Sequence, residues 1–274
     1  MRDHNDCGAM ASLSAAPLLS VGRRPAGRRP FLVRQGKRLR RPIDRLIARS
    51  SRVPNDPVLD ARLFAWTRAL RADWPGIREE ALAVLRNPEA VPLLDEVSPD
   101  HRRIAPPGKW RSFFLRGYGE DIAENIARCP RTATAMAKVP RLNSAFFSIL
   151  GPGAHIPAHR GVTKGLLTCH LGLLVPEGPV GMRVADRMVG WVEGETLLFD
   201  DTWEHEVWND TGAYRVVLLI QFGRPLRAPG SWLARAFLWG IRHTDFVREA
   251  RRNIALWDRG MKGIEAAHGL DRAA

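Results

Sequence analysis

Cysteine is scarce in this chain, and long hydrophobic runs and internal repeats are absent. The three cysteines, Cys7, Cys129 and Cys169, are far apart and form no CxxC pair. That excludes a disulfide scaffold and a thiolate zinc site, and predicts reduced thiols in a cytoplasmic protein. No apolar run approaches the roughly 20 residues of a membrane-spanning helix. The apolar start Met10–Val21 is followed, not preceded, by basic residues, the wrong order for a secretory signal peptide. The same order fits a translation start at Met10 or later. Without a repeat, a solenoid is excluded.

What remains is globular. The chain has 274 residues, 45% of them apolar, with 9 Trp, enough for one well-buried domain with helical additions. The net charge of +13 points at first to nucleic acid or an anionic membrane surface. Residues 1–50, however, carry twelve Lys/Arg against three Asp, a local balance of +9, which leaves +4 for the other 224 residues. The basic signal belongs to a tail. Nucleic acid is therefore disfavoured as a partner.

Residues 1–42, rich in Arg, Gly and Pro, are expected to be a disordered basic tail. From 43 to 142 the pattern is helical: a short helix begins near Asp44–Ala48, and Ile77–Leu85, Ile122–Cys129 and Thr132–Val139 follow. Pro130 and Pro140 are read as stops, and Val53–Asp60 as an extended connector. Between 143 and 226 short β-branched or aromatic runs predict strands at Ala145–Leu150, Leu166–Val175, Gly181–Val184, Thr196–Phe199 and Tyr214–Phe222. Residues 227–274 form a C-terminal helical extension, with Trp232–Trp239 and Phe246–Trp257 as an Arg-punctuated pair. The expected fold is mainly β with flanking helices.

The β region holds His155, His159, His170 and His205, a concentration that fits a metal site accepting neutral imidazole. Pro157 separates His155 from His159, so the pair is not a helical zinc motif. Only a fold can bring His159 to His205. Alternation along Leu166–Leu171 puts Thr168 and His170 on one face and Cys169 on the other. The acidic string Asp200-Asp201-Thr202-Trp203-Glu204-His205 needs solvent or a cation, and a solvated loop is its plain reading. Arg215 sits in the apolar run Tyr214–Ile220, where a guanidinium needs a carboxylate partner. A dicarboxylic ligand can supply one.

Four blocks then carry a resemblance: Gly153–Gly161, His170–Leu173, Trp191–Glu195 and Phe199–Asn209. With Arg215 ten residues after His205, and Arg224-Pro225 beyond it, the segment from about Trp110 to Pro225 resembles the aspartyl/asparaginyl β-hydroxylase family. The resemblance implies a double-stranded β-helix, a cupin-like jelly roll, that holds one Fe(II) and uses 2-oxoglutarate and O2 as co-substrates. By position, His159 and His205 would ligate iron, and Arg215 would bind the distal carboxylate of 2-oxoglutarate with help from Ser148. His170 would lie near the chelating carboxylate, and Trp110 would line the pocket. Related oxygenases place a carboxylate two residues after the first histidine; here that residue is Gly161. The resemblance therefore implies two protein ligands, with Asp201 acting catalytically from behind them on an iron-bound water.

One position departs from the pattern. Family members commonly carry Arg two residues before the strand histidine, where this chain has Thr168; Lys164 shares its strand parity. The expected reaction is hydroxylation of an unactivated C–H, first of the β-carbon of an Asp or Asn residue in a peptide or protein. Hydroxylation of a lipid acyl chain at a membrane surface is the alternative, and a metal-free nucleic-acid-binding barrel is a second. The basic N-terminus and the Arg-rich C-terminal helices read as a solvated tail and ordinary amphipathic helices. Peripheral contact with an anionic inner membrane is the other reading. Trp203 and Trp208 are expected to pack, Cys169 to enter the barrel wall, His155 to hydrogen-bond in a loop, and Asp200 to cap a turn.

Overall fold

The structure is a computed structural model that describes residues 42–267. The basic tail expected over 1–42 lies outside the described residues except for Pro42, and Cys7 lies outside with it. The first half supplies helices α1 (42–49), α2 (Thr67–Ala72), α3 (Trp74–Leu85), α4 (Leu94–Val97), α5 (Ala123–Arg128) and α6 (Pro130–Met136). It also supplies strands β1 (Val58–Leu59), β2 (Trp110–Gly117) and β3 (Glu120–Asp121).

Eight antiparallel strands follow: β4 (Leu142–Leu150), β5 (Ala154–His159), β6 (Leu166–Leu174), β7 (Val180–Val184), β8 (Arg187–Val189), β9 (Thr196–Phe199), β10 (His205–Asn209) and β11 (Arg215–Gly223). They divide between a seven-stranded sheet, β1-β9-β6-β11-β4-β2-β3, and a four-stranded sheet, β5-β10-β7-β8. Apart from the β7–β8 hairpin within the small sheet, successive core strands thus alternate between two facing sheets, the winding of a double-stranded β-helix. The expected jelly roll is what the chain builds.

Two apolar layers hold it. Between the sheets, Trp110, Phe114, Phe146, Leu150 and Val217 of the large sheet meet Ile156, Met182, Val184 and Val207 of the small one. Behind the large sheet, Phe113, Phe147, Cys169, Leu171 and Leu218 pack with Leu70, Ile77 and Ala81 of α2 and α3. The large sheet is therefore buried on both faces, and its strands lose the period-two alternation of a half-exposed sheet. That is why β2 escapes the sequence reading. Its run Trp-Arg-Ser-Phe-Phe-Leu sends Trp110 and Phe114 one way and Phe113 and Leu115 the other.

Three further elements differ from expectation. Pro157 lies within β5, at the edge of the small sheet, where one side of the strand makes no ladder and a missing N–H costs nothing. Pro130 starts α6 instead of ending a helix, and the Glu80 carboxylate of α3 accepts from Arg131 N (2.8 Å) and Thr132 N (2.9 Å). Part of the connector Val53–Asp60 forms β1 against β9. The chain closes with α7 (Gly230–Arg242) and α8 (Asp245–Ala267).

Candidate active site

His159 is the last residue of β5 and His205 the first of β10, and the two are register partners. Their rings lie 4.0 Å apart, centroid to centroid. The same local device orients both. His159 Nδ1 is 2.8 Å from the carbonyl of Pro157, and His205 Nδ1 is 3.0 Å from that of Trp203, each two residues back. A carbonyl only accepts, so Nδ1 carries the proton in each ring, and both Nε2 lone pairs remain for a cation. Burial, with the neighbouring His205 adding to it, pushes His159 down to about 4. Burial also lowers His205. Both rings are neutral near pH 7, the state that binds metal.

Deeper between the sheets lies a cationic, polar end. Arg215 opens β11 opposite Leu150 and is buried, and no carboxylate among the described residues pairs with it. Its Nη1 donates to the Ser148 carbonyl at 3.4 Å, its guanidinium lies 4.7 Å from the centre of the Trp191 ring, and its Nε has no partner. Burial pushes the guanidinium down to about 9. Trp110 Nε1 donates to Ser148 Oγ at 3.0 Å, which leaves the serine proton free to be given elsewhere.

Trp191 connects this end to His170. Its Nε1 donates to His170 Nδ1 at 3.1 Å, so the His170 proton resides on Nε2, which is buried and has no partner. Burial, then the positive charge of Arg215, holds His170 well below the ordinary histidine range. Gly172 makes this contact possible. A Cβ there would meet the Val192 backbone, so only glycine lets the 191–194 segment lie against β6.

Asp201 is placed by a different absence. A Cβ on Gly161 would collide with the Asp201 carboxylate, which occupies the space a side chain at 161 would take. Gly161 N donates to the Asp201 carbonyl at 2.7 Å. Asp201 Oδ2 accepts from Gln221 Nε2 (3.3 Å) and Thr168 Oγ1 (3.4 Å). Among the described residues no group of three or more His, Cys, Asp or Glu gathers around a common point.

The acidic string is not a solvated loop. Asp200 is fully buried and Asp201 nearly so. Asp200 Oδ1 accepts from Thr202 N (3.0 Å) and Oγ1 (2.5 Å), the expected turn cap, while Oδ2 pairs with Arg224 and with Lys164 Nζ (2.6 Å). Lys164 is thereby committed to Asp200 and does not stand in for an arginine at 168. Trp203 is half exposed beneath Lys164 instead of packed inside. His155 is a hydrogen-bonder, to Glu206 at 2.7 Å, but within a strand. Trp208 covers Gly181, and Cys169 is fully buried in the layer behind the large sheet.

Sequence reasoning gave no role to Trp191 or Gln221. Gln221 shares strand parity with Arg215, and a second polar side chain at that parity in an apolar run was the available signal.

A jelly roll with a carbonyl-oriented histidine pair at one mouth and an unpaired buried arginine inside has the architecture of a dioxygenase-type hydroxylase. Residues 71–225 match the family described as Aspartyl/Asparaginyl beta-hydroxylase. The ornithine lipid ester-linked acyl 2-hydroxylase of Rhizobium tropici is 39% identical over 76% of this chain and 75% of its own length. The human aspartyl/asparaginyl beta-hydroxylase is 32% identical over 59% of this chain, but the match spans only 21% of that protein. Human aspartate beta-hydroxylase domain-containing protein 2 is 32% identical over 49% of this chain and 38% of its own. The chain belongs to the aspartyl/asparaginyl β-hydroxylase family.

Proposed function

We propose that the protein is an Fe(II)- and 2-oxoglutarate-dependent hydroxylase acting on the acyl chain of a lipid. One observation carries the co-substrate assignment. Arg215 Nε and His170 Nε2 are buried without partners, and beside them Ser148 holds a proton with no acceptor yet assigned. Leaving such groups unpaired costs stability unless a ligand completes them. A dicarboxylate fits: one carboxylate on Arg215 and Ser148, the other reaching toward His170. The histidine pair fits iron in the same way, since both Nε2 atoms are unprotonated and both rings are fixed by backbone carbonyls.

Bound together, iron and 2-oxoglutarate supply the oxidation, in which O2, 2-oxoglutarate and a substrate C–H become succinate, CO2 and C–OH. The protein's own residues position the parts. Trp191 fixes the tautomer of His170 and underlies Arg215, so both ends of the co-substrate site rest on one indole. Gln221 and Thr168 hold the Asp201 carboxylate in the space beside Gly161, two residues after His159, where it would orient a water and hold its proton.

The substrate reading rests on the open side of this site. An open cleft runs from Asp201 and Gln221 to α7; Leu166, Leu238 and Ile241 give it an apolar wall, and Tyr118, Asn143 and Arg242 line the rest. Thr168 brings no cation beside Asp201, Arg242 being the cation in the cleft lining, and the lipid hydroxylase matches along three quarters of both chains. The similarity to the human protein favours a second reading, an Asp or Asn residue of a peptide.

Anaerobic titration with Fe(II) and 2-oxoglutarate tests the cofactors. A metal-to-ligand charge-transfer band should form, and His159→Ala or His205→Ala should abolish it. Wild-type turnover of 2-oxoglutarate without iron would refute the assignment. Mass spectrometry of acylated lipids and of Asp/Asn peptides after turnover then decides the substrate, with an added oxygen expected on the acyl chain.

A further inference from the structure

Helix α7 is apolar on two opposite faces. At 100° per residue, Ala234, Leu238 and Ile241 point one way, and Trp232, Ala236 and Trp239 the other. The first face is used: Ala234 packs on Gly165, while Leu238 and Ile241 wall the cleft that leads to Asp201. The second is bare, with Trp232 62% and Trp239 66% exposed. Two bulky indoles on one solvent-facing stripe are costly unless something covers them. Val162, which lines the same cleft, is 49% exposed.

The charge around this stripe shows what covers it. Arg235 lies on the exposed side of α7, near enough to Arg141 that its charge, with that of Arg52, opposes the Arg141 charge. Arg242 at the end of α7 lines the cleft, near Arg116 and Arg251, which are paired with Asp121 and Glu120. The Arg235, Arg141 and Arg52 group beside exposed tryptophans matches the boundary of an anionic bilayer, where indoles sit at headgroup depth and guanidinium groups meet phosphates. No described helix is long and apolar enough to cross a membrane.

We propose that α7 docks the protein on an anionic lipid bilayer through Trp232 and Trp239. The helix would then stand between the bilayer and the Asp201 cleft, about one helix width from the lipid, and an acyl chain would pass round it to reach Leu238 and Ile241. This rests on the acyl-lipid reading for its purpose, though not for the docking itself.

The test is flotation of the full chain with phosphatidylcholine vesicles, with and without phosphatidylglycerol, for wild type and Trp232→Ser/Trp239→Ser. The wild type should float with the anionic vesicles, and its tryptophan emission should shift to the blue. The double variant should lose about tenfold or more in partitioning while it keeps the basic tail. Its iron and 2-oxoglutarate charge-transfer band, and its turnover of detergent-dispersed acyl lipid, should be unchanged. Equal partitioning of the two proteins would overturn the proposal. So would a wild-type dimer in light scattering that the substitutions dissolve, since a second copy would then cover the stripe. Docking lost in the variant, with no acyl lipid oxidised by the wild type, would support the docking surface and refute only the substrate reading.

Discussion

The Asp201 carboxylate fills the volume that a side chain on Gly161 would occupy. Glycine at 161 and aspartate at 201 are therefore a matched pair, and neither can be exchanged alone. Gly161→Ala should push the carboxylate off Gln221 and Thr168 and lower turnover by roughly 10-fold or more, as the loss of supporting contacts around a metal site does. Gly161→Asp should fare worse, because two carboxylates compete for one space. Gly161→Asp combined with Asp201→Gly should bind Fe(II) better than Gly161→Asp alone, as read by anaerobic metal titration.

Arg215 yields a prediction of opposite sign for stability and function. Its guanidinium is buried with one carbonyl contact and no counter-charge, so the empty site is destabilised by it. Arg215→Met should raise the melting temperature of the ligand-free protein by about 2–4 °C, equivalent to roughly 1 kcal/mol. The same change should abolish the thermal upshift expected of the wild type with 2-oxoglutarate, where binding would stabilise it by about 2.7 kcal/mol at 100 times Kd. Scanning calorimetry with and without 2-oxoglutarate reads both.

The neutral histidines predict an acid limit. His159 sits at about 4 in the folded protein because of burial, against about 6.5 when unfolded. Between those values the unfolded chain takes up the proton first. This contribution to stability is complete above pH 6.5 and is lost as pH falls toward 4. Denaturant midpoints of the metal-free protein should fall across that window, and His159→Gln should flatten the slope.

Asp200 predicts a structural failure. It is the buried counter-ion of Arg224, whose guanidinium also holds the Lys164 carbonyl, Pro54 and Asn55. Asp200→Ala should cost about 3–5 kcal/mol by stranding a buried charge, and Asp200→Ala/Arg224→Met should recover part of that loss. Urea titration measures the difference.

Much of this was legible in the sequence, and the rest was hidden for physical reasons. The strands at 166–174 and 196–199 show in their branched and aromatic runs, and the blocks around His159 and His205 stand out as chemistry. β2 and β5 do not. One is apolar on both faces because the sheet is covered on both sides, and the other contains a proline that only an edge tolerates. Nor does composition show that Asp200 and Asp201 are buried. Their partners Arg224 and Gln221 lie some 20 residues away and meet them only after β11 has crossed the sheet.

Trp191 touches the proposed co-substrate site at two points: its N–H fixes His170, and its face carries Arg215. An indole is rigid, so the two grips cannot drift apart or together independently. If that site takes 2-oxoglutarate, the indole would serve as an internal ruler that selects a diacid by length. Oxaloacetate, one carbon shorter, and 2-oxoadipate, one longer, would each satisfy one grip at the expense of the other. Replacing the indole with leucine would blunt that choice before it removed either grip.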